Sequence, residues 1–184
     1  MRLPTVTVFG SSVGSPGEPD YDDAVELGRL LAEAGFAVAT GGYDGLMEAV
    51  SSGAGDAGGS VTGVTAPEVF PHRPSPNRWV QVHVRAASLT ERIHELVDIS
   101  DASIALPGSI GTFTELMVAW NLAFVARFSD KPPHPVITVG PLWEDLVSLL
   151  GERLGTDAGL VTCVDTVGEA VDVVKQRVRT ATTS

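Results

Sequence analysis

What most restricts the fold of this chain is its rhythm. Short β-branched apolar runs alternate with longer amphipathic ones along almost all of its 184 residues. Only a parallel sheet with helices on both faces accommodates that alternation. The β-rich runs are Thr5–Gly10, Phe36–Thr40, Ser60–Thr65, Trp79–Val84, Ser103–Leu106, Pro135–Val139 and Leu160–Val164. Helices are expected over Asp20–Ala34, Asp44–Ala57, Ser88–Ile99, Thr112–Phe128 and Trp143–Leu154, with a last one from about Val167. Gly35 and the pair Gly58-Gly59 supply C-terminal stops, and Ser88 with Glu91 reads as a capping box. Ala66–Pro76, rich in proline, is expected to be an irregular loop or lid. Neither an internal repeat nor a second domain is visible. The expectation is a three-layer, doubly wound α/β domain spanning 1–184. Such folds bind ligands at the carboxyl ends of their strands, where strand order reverses. The glycine-rich turns after the first, second and fifth strands should open on that edge.

Charge narrows the ligand. With 23 acidic and 12 basic residues, the surface should repel polymeric nucleic acid. A small anion remains acceptable wherever basic groups converge. Arg73, Arg78, Arg85 and Arg92 lie close in sequence with only Glu91 as an acidic neighbour between them. The lone Cys163 excludes an internal disulfide and fits a reducing cytoplasm. No apolar run approaches the roughly 20 residues of a membrane span, and Met1-Arg2-Leu3-Pro4 does not open a signal peptide. His72, His83, His94 and His134 lack metal-ligand spacing, so neither a metal nor another cofactor is expected.

The segment Leu106 to Glu115 carries the chemistry. A buried strand ends in Pro107-Gly108, passes Ser109 and Gly111, and runs straight into an almost wholly apolar helix. Strand, glycine turn and helix aim free N–H groups and the positive helix end at one spot, which suits a phosphate. Glu115 is the single acid between Asp101 and Asp130, and Arg92 falls inside the apolar arc of its own helix. A guanidinium facing a core is costly unless it meets an anion, so the two are expected partners. Each also has a plainer reading. Thr112 and Glu115 could form a capping box, and Arg92 could reach out to water. Gly10-Ser11-Ser12-Val13-Gly14 lacks the dinucleotide spacing, which leaves NAD without support.

Pro107 to Glu115 resembles the PGGxGTxxE hallmark of the LOG (Lonely Guy) family, and Thr40 to Glu48 is similar to its GGGxxGLMG element. Phe9-Gly10-Ser11-Ser12 is also alike. Arg92 matches the first residue of the family's Arg-Lys pair, with Ile93 where lysine is usual. Ser109 and Glu48 likewise replace glycines. The resemblance implies a Rossmann-like fold, a dimer, and hydrolysis of the N-glycosidic bond of nucleoside 5′-monophosphates, AMP or cytokinin ribotides among them. On that basis Gly108, Ser109, Gly111 and Thr112 would hold the phosphate. Glu115 and Arg92 would be catalytic, with Arg92 keeping Glu115 ionised, and Gly10, Ser11, Gly41, Gly42 and Met47 would line the nucleotide pocket. The alternative is a non-catalytic nucleotide or cofactor binder like the molybdenum-cofactor carriers, which share a GxMEAV pattern. The lysine-decarboxylase label attached to many such proteins fails here. A pyridoxal enzyme needs a Schiff-base lysine, and this chain has only Lys131 and Lys175.

Overall fold

Alternation along the first strand, β1 (Thr5–Phe9), already makes the sheet two-sided. Val6 and Val8 enter one hydrophobic cluster and Phe9 the other. The computed structural model describes residues 2–73, 75–128 and 134–182, without side chains for 179–182. The further strands are β2 (Ala37–Thr40), β3 (Val61–Thr65), β4 (Val82–Arg85), β5 (Ala102–Ala105), β6 (Val136–Val139) and β7 (Val161–Val164). They form one parallel sheet in the order β4-β3-β2-β1-β5-β6-β7. The helices are α1 (Pro19–Glu33), α2 (Leu46–Asp56), α3 (Leu89–Asp98), α4 (Ile110–Ala126), α5 (Pro141–Leu154) and α6 (Val167–Thr182). Side chains of α1, α2 and α6 build the cluster on one face, and those of α3, α4 and α5 build the cluster on the other. This is the expected doubly wound, Rossmann-like domain, and order reverses between β1 and β5.

Local signals explain most boundaries. Gly35 takes φ +86° after α1, and Ser88 caps α3 by accepting from the Glu91 N–H at 3.1 Å. Glu91 reaches back one residue further than a capping box, accepting from the N–H of Ala87, just before the cap, at 2.8 Å. The fourth strand begins later than expected. Asn77 holds the chain in a turn, its Oδ1 accepting from the Trp79 N–H at 3.1 Å, and pairing with β3 starts only beyond it. The loop after β3 is irregular as expected, although its Pro74 falls outside the described residues, as do Lys131 and Pro132. Lys175 forms an ion pair with Asp172 on α6 at 3.2 Å.

Two glycines let α1 and α2 touch backbone to backbone. A Cβ on Gly28 would collide with the Val50 carbonyl oxygen, and one on Gly53 would collide with the Val25 carbonyl oxygen. This closeness fixes α2, whose first turn carries Leu46 and Met47 to the edge of the sheet. Gly28→Ala should lower stability by roughly 1–3 kcal/mol in urea denaturation. Overpacking outweighs the gain in helix propensity of about 1 kcal/mol. A stabilised variant would show that the two helices separate without cost.

Candidate active site

The site grows out of the reversal in strand order. Beyond β5 the chain turns through Leu106-Pro107-Gly108, and neighbours on both sides hold that turn. The Ser11 N–H donates to the Pro107 carbonyl at 3.3 Å, and Trp143 Nε1 donates to the Leu106 carbonyl at 3.1 Å. Phe113 stacks parallel on Trp143 with centroids 6.5 Å apart. Ser109 then caps α4 through its backbone alone, since its side chain makes no capping bond. The loop-to-helix backbone bond runs from the Phe113 N–H to the Ser109 carbonyl at 3.0 Å. The N–H groups of Ile110, Gly111 and Thr112 therefore precede the helical ladder, at the positive end of the helix dipole.

The replacement of glycine by Ser109 carries no strain, because Ser109 sits at φ −106° in extended backbone. Gly108 is the position that requires glycine, since a Cβ there would collide with the Thr112 side chain. Around Gly111 a Cβ would meet nothing within 4 Å. That glycine is not demanded by the chain's own packing.

Glu115 departs from its expected setting. The helix begins at Ile110, so Glu115 lies in the second turn and the Thr112–Glu115 capping box does not form. Its carboxylate, only 8% exposed, lines a cavity of about 320 Å³ and has Oε1 4.0 Å from Arg92 Nη1. Arg92, 6% exposed, does not reach out to water. Its Nε donates to the Val64 carbonyl at 2.8 Å and its Nη2 to the Gly41 carbonyl at 2.9 Å. The guanidinium also lies 5.4 Å from the Tyr43 ring centre and 5.6 Å from that of Phe70. Arg92 is thus fastened to the ends of β2 and β3, and Nη1 is left facing Glu115.

Burial governs the acid. Desolvation raises the Glu115 pKa to about 7, and the attraction of Arg92 only partly opposes it. Arg92 favours the ionised form, the direction expected of it, and burial outweighs that attraction. Near neutral pH the carboxyl is poised between its two forms, as a group that exchanges protons during a reaction needs to be.

The cavity gathers Gly10, Gly41, Met47, Arg92, Ser109, Gly111, Thr112 and Glu115. Gly108, Ser11 and Gly42 stand behind its wall. Ser11 Oγ accepts from the Val13 N–H at 3.0 Å, and Gly42, at φ +75°, closes a turn whose carbonyl accepts from the Asn77 N–H at 2.7 Å. Glu48 is half-buried outside the cavity, near Tyr21, so this departure from the LOG pattern leaves the lining untouched. Ile93, in place of lysine, lines it with an apolar side chain. Of the four clustered arginines only Arg73 and Arg92 reach the cavity; Arg85 pairs with Glu68 at 2.7 Å and Arg78 lies over Trp79. The sequence does not single out Ser12 or Tyr43 as wall residues, and it offers Phe70 and Arg73 only as members of the expected lid Ala66–Pro76. Tyr43 could have been found, since it follows Gly41-Gly42 directly. Phe70 and Arg73 ride on an irregular loop and give no periodic signal.

A parallel sheet with a helix start that lacks a side-chain cap at its switch point, beside a buried carboxylate and arginine, defines a Rossmann-like α/β protein. Residues 3–126 match the model of the SLOG cluster4 family, and the chain belongs to that family. It is 37% identical over 152 residues to the rice (Oryza sativa subsp. japonica) cytokinin riboside 5′-monophosphate phosphoribohydrolase LOG, covering 81% of this chain and 61% of that one. It is also 37% identical over 181 residues to a probable rice enzyme of the same name, LOGL5, covering 82% and 73% respectively. The chain thus spans about three fifths of the length of the first relative. Among solved structures it resembles the molybdenum cofactor binding protein of Rippkaea orientalis, with TM-score 0.74 and 26% identity over 96% of this chain and 98% of that one. The LOG resemblance read from Pro107–Glu115 and Thr40–Glu48 is borne out.

The raised pKa of Glu115 has a consequence for stability. A carboxyl whose folded pKa exceeds its ordinary 4.5 favours the fold fully below 4.5 and loses that contribution as pH climbs through about 7. Glu115→Gln removes the titration. Relative to the variant, the wild-type protein should lose up to roughly 3 kcal/mol between pH 4.5 and 8 in urea denaturation. Parallel curves for the two proteins would show that the acid is solvated in the folded state.

Proposed function

We propose that this protein hydrolyses nucleoside 5′-monophosphates, AMP or a cytokinin ribotide among them, to free base and ribose 5-phosphate. The observation that carries this reading is the Arg92–Glu115 pair, 4.0 Å apart, lining the same cavity as the uncapped start of α4. Binding an anion needs only the helix start. A buried carboxylate beside it is unfavourable for an anion and is accounted for by a reaction that develops positive charge.

The phosphate lies on the N–H groups of Ile110, Gly111 and Thr112, with the Ser109 and Thr112 hydroxyls near. That places the ribose against Glu115. As the C1′–N bond breaks, the bonding electrons leave with the base and positive charge spreads over C1′ and the ring oxygen. The ionised carboxylate stabilises that charge and takes a proton from the water that attacks C1′; that proton is then passed, directly or through solvent, to the nitrogen of the departing base, which restores the carboxylate. Arg92, fixed by its two backbone carbonyls, orients Glu115 and limits how far its pKa rises. Water is the co-substrate and no cofactor is called for.

A homodimer belongs to the same proposal. On α4, Leu116, Ala119, Trp120 and Ala123 are buried, whereas Leu122 and Val125 are 47% and 50% exposed, and Phe128 just beyond is 79% exposed. An apolar stripe of this kind fits a second copy. The proposal also places the protein in the cytoplasm, acting on a mononucleotide and on neither polymeric nucleic acid nor membrane. The strongly acidic composition supports the former exclusion, and no described helix is long and apolar enough to cross a membrane.

A second reading, a non-catalytic nucleotide or cofactor carrier, draws on the end-to-end likeness to the molybdenum cofactor binding protein. Incubation with AMP and with a cytokinin ribotide, assayed for free base, separates the two. Base release is expected, with kcat/KM rising through about pH 7 as Glu115 loses its proton and with Glu115→Gln inactive. Tight binding without release would establish the carrier. Gly111→Ala should leave the fold intact or stabilise it by up to about 1 kcal/mol, since a Cβ there meets only open space. The same methyl stands over the anion site, so monophosphate affinity should fall at least tenfold in calorimetric titration; undiminished affinity would move the phosphate elsewhere.

A further inference from the structure

The base end of the cavity carries a recognition group that the hydrolytic reading leaves unused. Arg92 divides the cavity: its Nη1 faces Glu115, and its guanidinium lies against Tyr43 and Phe70. Beyond those rings stands Arg73, 5.9 Å from the Tyr43 ring centre and also in the lining. Its backbone N–H closes a turn on the Phe70 carbonyl at 2.8 Å, which aligns both residues on the loop after β3. The side chain of Arg73 has no hydrogen bond or ion pair among the described residues. Nearby acids are already engaged. Glu68 pairs with Arg85 at 2.7 Å, Glu91 accepts from the Ala87 N–H at 2.8 Å, and Glu115 faces Arg92. Two guanidinium groups therefore approach the same ring, and only the inner one has a carboxylate for company.

A guanidinium offers a planar fork of N–H donors and no acceptor. The purine edge that fits it presents two acceptors side by side. Guanine, hypoxanthine and xanthine do so with O6 and N7, whereas adenine sets an amino donor beside N7 and brings donor against donor. Given the phosphate on α4 and the ribose against Glu115, the base falls between the Tyr43–Phe70 pair and the apolar side chains of Leu89 and Ile93. We propose that Arg73 makes this site selective for 6-oxopurine nucleoside monophosphates over 6-aminopurine ones. The inference rests on the nucleotide reading given above and narrows its substrate.

Binding rather than turnover tests it. The full chain carrying Glu115→Gln, to prevent hydrolysis, is titrated calorimetrically with IMP, GMP, AMP and ribose 5-phosphate. IMP and GMP should bind about tenfold more tightly than AMP, in line with one bidentate contact. Adding Arg73→Met should bring both down to the affinity of AMP. Arg73→Lys, whose ammonium still donates to O6 and N7, should keep part of the preference. AMP binding as well as IMP overturns the proposal. So does a preference surviving in the methionine variant, or an Arg73→Met effect equal on all four ligands, which would put the guanidinium on phosphate. Ribose 5-phosphate binding with no gain from any base removes the base preference and keeps the phosphate cradle. Failure of all four ligands to bind removes the nucleotide reading itself.

Discussion

The geometry of the site depends on how Arg92 spends its donors. A guanidinium 6% exposed inside a fold is tolerated only when its N–H groups are occupied. Here one goes to the Val64 carbonyl at 2.8 Å and another to the Gly41 carbonyl at 2.9 Å, tying α3 to the ends of two neighbouring strands. What remains points at Glu115. The distance of 4.0 Å is too long for a bidentate clamp, and it leaves the acid steered without being neutralised. A closer pair would favour the ionised form further, and a more distant arginine would favour it less.

The rest of the fold delivers α4 to that pair. β1 and β5 lie side by side at the reversal, so the turns that leave them brace each other through the Ser11–Pro107 bond. Trp143, from α5, reaches the Leu106 carbonyl and stacks on Phe113 within the first turn of α4. An acidic protein of net charge −11 thereby keeps one small region where donors and two arginines dominate.

The sequence revealed the architecture because the sheet and its covering helices follow periodic rules. Val6, Val8 and Phe9 alternate, glycine stops α1, and Ser88 with Glu91 starts α3. It revealed Glu115 and Arg92 as a pair because both were conspicuous against apolar neighbours. It started the helix two residues late, since a Thr-x-x-Glu pattern at a helix start looks alike whether the helix opens at Thr112 or earlier at Ile110. The first turn of α4 starts at Ile110 because Pro107-Gly108 releases the chain early, a matter of backbone geometry that residue types do not record. Ser11, Gly42 and Gly108 lie one step behind the cavity wall for a related reason: a tight turn has an inside and an outside, and spacing alone does not tell them apart. Tyr43, Phe70 and Arg73 come from a turn and a loop without periodicity, so only the folded chain brings them together.

Gly41 and Arg92 share one volume, although 51 residues separate them. The space that a Gly41 side chain would fill is taken by the Arg92 guanidinium, with Met47 sulfur close behind. Each position is thus legible only through the other. A methyl at 41 would evict the arginine and free the acid from its steering partner, mimicking a lesion on a distant helix. Substitutions at the two positions are therefore expected to be strongly non-additive, the smaller member setting the room that the larger one occupies.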